Sequence, residues 1–318
     1  MTSTNCSVRK PLLRRDILLR HVHLEATGEL ASPLRVGSGR EAGYLLQVLK
    51  DGAGRPYIPG TSWKGALRSA AERVAALLHV RVCPGTMISV DDVRGIDLKL
   101  SNYLMNDIHD AGSWGGQGRR TYIMVPCTER RPVKDALKKA DAGELEGLDG
   151  KICLNCKVFG APSLRGALTI YDSQFTEYSL EVRPSISRGS RGEVANFFMV
   201  EFLDQGARFK LEADAMNLTN YALGYVLAAL RGIHEGEVQL GGMKGRGLGF
   251  VRFNDLSLKI SHVNPCSGSG QKLLPLDDLD TDVTLEVTEG AADEVFGAAE
   301  GLVKALQSAA KTGRLSPS

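Results

Sequence analysis

Two stretches place basic residues where backbone N–H groups can also point at an anion. Residues 57–68, Y-I-P-G-T-S-W-K-G-A-L-R, read as a strand end, a tight turn and a helix start. Pro59-Gly60 breaks the chain, and Thr61 or Ser62 is placed to accept a backbone hydrogen bond as N-cap. Ala66, Leu67, Ala70, Ala71, Val74 and Leu78 then recur at helical spacing. The first turn of such a helix aims free N–H groups and the positive end of its dipole outward, and Lys64 and Arg68 add full charges. That is phosphate chemistry; the plain alternative is a capped helix with solvated basic side chains. The second stretch, residues 239–251, is Q-L-G-G-M-K-G-R-G-L-G-F-V, a glycine-rich loop running into a strand. It lacks the G-K-[S/T] ending of a P-loop, and the strand that follows also excludes a dinucleotide fingerprint. Gly242, Lys244, Gly245 and Arg246 still make a loop that lets phosphates approach the backbone.

A third constellation suits a metal. Residues 153–160, C-L-N-C-K-V-F-G, carry Cys153 and Cys156 at C-x-x-C spacing. Zinc needs further ligands; Cys83 and Cys127 are the obvious additions, with His79 and His109 as substitutes. Buried free thiols are the other reading. A redox C-x-x-C opens a helix after a strand in a thioredoxin-like unit, and that context is missing. Six cysteines, with a polar start that lacks the apolar core of a signal peptide, argue against a disulfide framework and for a cytoplasmic protein.

These sites must be positioned by alternating strands and two clear helices. Residues 15–30 alternate apolar and polar side chains (Ile17, Leu19, His21, His23, Glu25) and read as a first strand. A small-residue loop at 32–40 and a short strand at 44–49 precede a turn at 50–55. Residues 79–160 form an insertion of poor periodicity, with a glycine-rich basic stretch at 112–120 and a helix around 133–140. Strands are expected at 168–172 and 209–213, a helix at 218–233 and a final strand at 252–260. Residues 177–202 have a basic, turn-rich centre carrying Arg183, Arg188 and Arg191, followed directly by Phe197-Phe198-Met199-Val200. That pattern describes a projecting hairpin.

The 318 residues and 43% apolar content support a proper core, and no run of 18 apolar residues predicts a membrane span. The net charge of +2 hides an asymmetry: residues 271–300 hold nine acids against one base, leaving +10 on the rest. A basic body suits a polyanionic partner. Residues 261–318 form an acidic, partly helical extension with an amphipathic helix at 291–310, which either folds back on the body or mediates assembly.

The order of three motifs, residues 57–68, then 153–160, then G-G-M-K-G-R-G-L-G-F-V, resembles the RAMP superfamily, and most closely the backbone subunit of type III CRISPR effector complexes. The resemblance runs from about residue 18 to residue 260. It implies an α+β fold: a modified ferredoxin-like (RRM-like) core with a helical insertion and a protruding thumb β-hairpin, spanning 1–260. It further implies a subunit that stacks along CRISPR guide RNA beside other RAMP, large and small subunits, each thumb kinking the guide–target RNA duplex. Carried over, Ser62, Lys64 and Arg68 hold guide phosphates, Gly242, Lys244, Gly245 and Arg246 form the loop beside them, and Cys153 with Cys156 helps bind structural zinc. Two phosphate-friendly loops, a basic hairpin and a basic body agree with RNA held by its backbone.

Slicing members of the family carry an aspartate in the loop after the first strand. The matching residues here, 36–42, are V-G-S-G-R-E-A. Arg40 occupies the aspartate position, Glu41 is a substitute carboxylate, and Asp51 lies in the next turn. The expectation is a subunit that binds guide RNA whether or not it cleaves, with magnesium required only for cleavage. The competing reading is a metal-independent endoribonuclease that matures guide precursor, which needs a histidine or tyrosine base; His21, His23 and His234 are the candidates.

Overall fold

The computed structural model describes residues 12–13, 16–42, 44–83, 88–89, 122–124, 126–139, 144–188, 194–263 and 267–317. In chain order, β1 (Arg20–Leu30), β2 (Gly37–Ala42), β3 (Leu45–Val48) and β4 (Tyr57–Ile58) lead into helix α1 (Gly60–Leu77). The short strands β5 (Ile88–Ser89) and β6 (Tyr122–Met124) precede α2 (Arg131–Lys139) and α3 (Leu154–Phe159). Next come β7 (Leu168–Ile170), β8 (Ser173–Glu177), β9 (Leu180–Arg188), β10 (Val194–Leu203), β11 (Arg208–Met216) and α4 (Asn220–His234). The chain finishes with β12 (Val251–His262), β13 (Gly268–Ser269), β14 (Lys272–Leu273), β15 (Val283–Thr284), β16 (Glu289–Ala291), α5 (Ala292–Ala298) and α6 (Glu300–Lys311).

The fold is mixed α+β on sheets paired antiparallel except between β3 and β10. The main sheet runs β16-β12-β1-β11-β8-β4, with β7 also paired to β11. β1 is central, antiparallel to β11 on one side and to β12 on the other. Its period-2 pattern sends Val22, Leu24 and Ala26 into the core and His21, His23 and Glu25 to the opposite face. α1 and α4 cover the apolar face. Trp63 of α1 is fully buried, with its ring 5.3 Å from Phe209 and 6.0 Å from Phe253, and its indole N–H donates to Ser173 Oγ at 2.8 Å. Gly28 is required at the centre of β1, because a Cβ there would press on the Arg252 carbonyl oxygen and the Phe209 ring.

Three expectations change on folding. The loop at 36–42 is strand β2, pairing with β3; this small-residue run is drawn into a second sheet of order β2-β3-β10-β9. The hairpin expected at 177–202 is the β9–β10 pair, and its base is part of that sheet, since β10 runs parallel to β3. The single helix expected at 291–310 is two helices broken at Ala299. The C-terminal extension folds back on the body: β16 pairs with β12, and Val295, Phe296, Leu302 and Leu306 join the main core. Buried Arg20 fastens this extension, donating to the carbonyl oxygens of Ser267 at 2.5 Å and Leu274 at 2.7 Å. The basic stretch at 112–120, together with His109 and Arg191, lies outside the described residues.

Candidate nucleic-acid interface and metal centre

Helix α1 starts earlier than its sequence suggests. Pro59 is the N-cap, with no side-chain cap bond from Thr61 or Ser62. Both lie inside the first turn, because Pro59 at φ −60° and ψ 142° already turns the chain into the helix. The cap comes from the connection between β7 and β8: Asp172 Oδ1 accepts the Gly60 N–H at 2.8 Å. Gly60 is required here, since any Cβ would overlap the Ile170 carbonyl oxygen.

Lys64 sits half-buried one turn further on. Burial holds its ammonium below the ordinary lysine range, and the charges of Arg68 and Arg165 push it the same way. Among the described residues, no carboxylate pairs with Lys64 or Arg165. Arg165 was not singled out from the sequence; it is exposed on the loop after α3. Arg68 departs from its expected outward role. Its side chain turns inward, donating to the Gly160 carbonyl oxygen at 2.8 Å and to Cys156 Sγ at 3.6 Å, with Nε 3.8 Å from Glu72.

The glycine-rich loop is held by backbone contacts with the segment after β1. Gly242 N–H donates to the Arg35 carbonyl oxygen at 2.8 Å, Gly249 N–H to that of Pro33 at 3.0 Å, and Leu240 N–H to that of Gly249 at 2.8 Å. Gly241, Met243, Gly247 and Gly249 all have positive φ. At Gly241 and Gly249 a side chain would also strike a carbonyl oxygen. Lys244, Gly245 and Arg246 make a 3-10 turn on the outside of this loop. Arg35, a second residue missed from the sequence, lies between this loop and β2. Its guanidinium carbon would be 3.3 Å from a Cβ at Gly37; its Nε is buried without a hydrogen-bond partner, and burial lowers its pKa.

The remaining nominated residues sort differently. Arg183 forms a two-bond pair with Glu181 at 2.7 and 2.6 Å and lies 5.7 Å over the Phe202 ring. Arg188 is a backbone position at the end of β9. Arg40 and Glu41 lie on β2, where Glu41 is opposite Leu46. Asp51 closes its own turn: it accepts Ala53 N–H at 2.9 Å, Arg55 N–H at 2.8 Å and Arg55 Nε at 2.9 Å, and these bonds hold its carboxyl below the usual range.

The four cysteines converge. Cys83 follows α1, Cys127 opens a 3-10 turn, Cys153 is the N-cap of α3 and Cys156 lies inside it. Cys83 Sγ is 3.1 Å from Cys156, 3.5 Å from Cys153 and 3.9 Å from Cys127, and Cys127 is 3.8 Å from Cys153. A tetrahedral zinc with bonds of ~2.3 Å needs sulfurs ~3.8 Å apart, so the cluster fits that geometry. Backbone N–H groups of Cys83 and Cys153 also point at sulfur, at 3.5 and 3.4 Å. The contacts pull the Cys83 thiol far down and push Cys153 and Cys156 up, as expected when one proton-poor site is shared by neighbouring sulfurs. His79 is not in the cluster; it is exposed at φ 55° beyond the end of α1.

The histidines lie elsewhere. On the outer face of the main sheet, Asp214 Oδ1 is 2.8 Å from His23 Nδ1 and 3.1 Å from His21 Nε2, and Tyr171 donates to Asp214 Oδ2 at 2.6 Å. His23 Nε2 is 3.0 Å from Glu25, which also pairs with Lys259 at 3.3 Å and Lys210 at 3.6 Å. His234 is packed against Phe253 and Phe296, and its Nδ1 accepts the Phe253 N–H at 3.1 Å.

Helix start, glycine-rich loop and cysteine centre thus lie on one α+β body, and all three fall within the stretch matched by a known family. The sequence model of the RAMP superfamily matches residues 27–252, most of the chain. The chain belongs to the RAMP superfamily, and membership implies a CRISPR-associated RNA-binding role. No curated protein matches it. Among the described residues, no helix is long and apolar enough to cross a membrane.

Proposed function

We propose that this protein is a backbone subunit of a type III CRISPR ribonucleoprotein. It holds guide RNA by its phosphates, without reading sequence, and assembles in the cytoplasm along the guide with other subunits. The observation that carries the reading is the half-buried Lys64, whose ammonium is pushed down by Arg68 and Arg165 and pairs with no carboxylate among the described residues, Asp172 being engaged by the Gly60 N–H. Burying cations against one another is unfavourable unless an anion completes the site, and a phosphate does so. Lys244 and Arg35, at the glycine-rich loop, supply a second contact of the same kind. The order β1-α1-β8-β11-α4-β12, with sheet order β12-β1-β11-β8, supports the ferredoxin-like core. The β9–β10 hairpin supports the thumb.

Cys83, Cys127, Cys153 and Cys156 would hold one structural zinc, whose contribution is to fold the 79–160 insertion onto α1. Asp51 is committed to its turn, so target cleavage with magnesium would fall to Glu41. Binding alone is the activity the charge distribution supports best. The test is fluorescence anisotropy with unrelated single-stranded RNAs. Lys64→Ala, Arg165→Ala and Lys244→Ala should each weaken binding for every sequence, and each should reduce the salt slope by about 0.7. Unchanged affinity and slope in all three variants would overturn the reading.

A second reading, metal-free cleavage of guide precursor, draws on His21 and His23 sharing one Asp214 oxygen. Cleavage of a hairpin precursor by the purified chain in EDTA, lost in His21→Ala, would establish it.

A further inference from the structure

Arg68 joins the two sites just described. Its guanidinium is a fork with one tine on the metal-ligand set, Cys156 Sγ at 3.6 Å, and the other on the Gly160 carbonyl oxygen at 2.8 Å. Gly160 opens the loop that carries Arg165. This loop is closed by interlocking glycines: a Cβ at Gly160, where φ is +85°, would sit 2.7 Å from Gly166 N, and one at Gly166 would sit 2.5 Å from Gly160 N. Within it Ala161 and Leu164 exchange both backbone bonds, at 2.8 and 2.9 Å. These contacts brace the loop as a unit directly after α3, whose N-cap and first turn supply two of the four sulfurs. This loop brings Arg165 near enough to Lys64 for its charge to act on the ammonium.

We propose that the four-cysteine centre sets the affinity of the phosphate site, and that Arg68 is the positioning residue that transmits it. The proposal rests on the phosphate and zinc readings above and adds a coupling between them. With zinc bound, α3 is fixed, Arg68 bridges sulfur and loop, and Arg165 is held beside Lys64. With zinc removed, α3 loses its anchor, the bridge has no fixed end, and Arg165 no longer converges on the phosphate. Arg68 itself does not contact RNA. Its charge is directed at the thiolate cluster, where a fork that donates to sulfur offsets the excess negative charge of four thiolates around one divalent ion.

The test uses the full-length chain and a fluorescein-labelled single-stranded RNA of arbitrary sequence, with zinc content and melting temperature measured for every variant. Stripping zinc from wild type should weaken RNA binding about tenfold, and restoring zinc should recover it. Arg68→Gln should keep about one zinc per chain yet bind RNA as weakly as the stripped protein, with no further loss on stripping. Arg68→Lys keeps a cation but not the fork, so it should behave like the glutamine variant. Arg165→Ala combined with Arg68→Gln should bind no more weakly than Arg165→Ala alone, because the two act through one contact.

Full rescue by lysine, or losses that add in the double variant, would overturn the proposal by making Arg68 an ordinary phosphate contact. Wild-type affinity and undiminished zinc dependence in Arg68→Gln would overturn it equally. Failure of the underlying readings looks different. Wild-type binding by both Lys64→Ala and Arg165→Ala removes the phosphate site, and purified protein without zinc removes the metal centre.

Discussion

Two charged surfaces of this protein handle their charge in opposite ways. On the outer face of the main sheet, basic side chains meet carboxylates: His21 and His23 share Asp214, Lys259 reaches Glu25, and Lys210 lies between Glu25 and Glu212. Near the start of α1, Lys64 and Arg165 pair with none among the described residues, and the charges of Arg68 and Arg165 push the Lys64 ammonium further below its ordinary range. A count of basic residues does not separate these surfaces. Compensation does. The pairs on the sheet face are electrically finished, whereas the Lys64–Arg165 site is incomplete until an anion arrives, because the Asp172 carboxylate at the helix start is engaged by the Gly60 N–H.

The comparison breaks most readily at the cysteine centre. If the centre anchors the incomplete site, its loss should be the most damaging single change. Cys153→Ser should eliminate the bound ion and lower stability by more than about 4 kcal/mol, as loss of a structural metal does. Metal analysis and urea unfolding measure both effects. A variant that melts like wild type would show that buried thiols alone hold the insertion.

The next largest effect concerns the backbone under the cation cluster. Gly60→Ala would drive a methyl group into the Ile170 carbonyl oxygen and disturb the bond from Gly60 N–H to Asp172. The expected cost is about 2–3 kcal/mol in urea unfolding, with weaker RNA binding alongside. Asp172→Asn tests the same corner more gently, since it keeps an acceptor for the cap.

A paired substitution sharpens the contrast directly. Lys64→Ala and Lys210→Ala each remove one cation, from the incomplete and the finished surface respectively. Lys64→Ala should weaken RNA binding severalfold, on the order of 1 kcal/mol, and flatten the salt dependence. Lys210→Ala should leave both unchanged, because its ammonium is already taken by Glu212 and Glu25. Equal losses from the two variants would place RNA on both surfaces.

Much of this arrangement was legible in the sequence, and the exceptions have identifiable causes. The helix at residue 60, the glycine-rich loop and the four cysteines announce themselves through spacing and residue type. Arg165 does not, since it meets Lys64 only after Gly160 and Gly166 interlock, a contact no periodicity encodes. Arg35 was hidden within a small-residue loop whose backbone turns out to brace Gly242. Helical spacing puts Arg68 on the same flank as Lys64, while a thiol brought from 88 residues on draws it inward. The numbering itself shows the distance: Arg68 meets Cys156 and Gly160. Residues 37–42 read as a loop in the sequence because their Gly-Ser-Gly run has no strand propensity; pairing with β3 supplies what propensity lacks. The fate of the C-terminal extension was open in the sequence because either outcome buries the same amphipathic face.

The smallest expected effect lies on the finished surface and follows from the protonation of its network. His23 is raised above its ordinary value, chiefly by its hydrogen bond to Asp214 and then by that to Glu25. The folded state therefore favours its protonated form. That contribution is complete below an unfolded value of about 6.5 and fades as pH rises through the higher folded value. Glu25 is pulled down to about 2, first by His23 and further by Lys259 and Lys210. Its contribution is complete above an unfolded value of about 4.5 and fades as pH falls toward the folded one. The network is thus at full strength between about pH 4.5 and 6.5 and loses the His23 part above that window. Because these side chains are partly solvated, the stability involved is under about 1 kcal/mol. Urea midpoints at pH 5.5 and 8 should show wild type more stable than His23→Gln at the lower pH, with the gap narrowing at the higher. RNA affinity should be the same for both proteins at both values. A loss of RNA binding in His23→Gln would make the sheet face part of the ligand site, and the division between finished and incomplete surfaces would have to be abandoned.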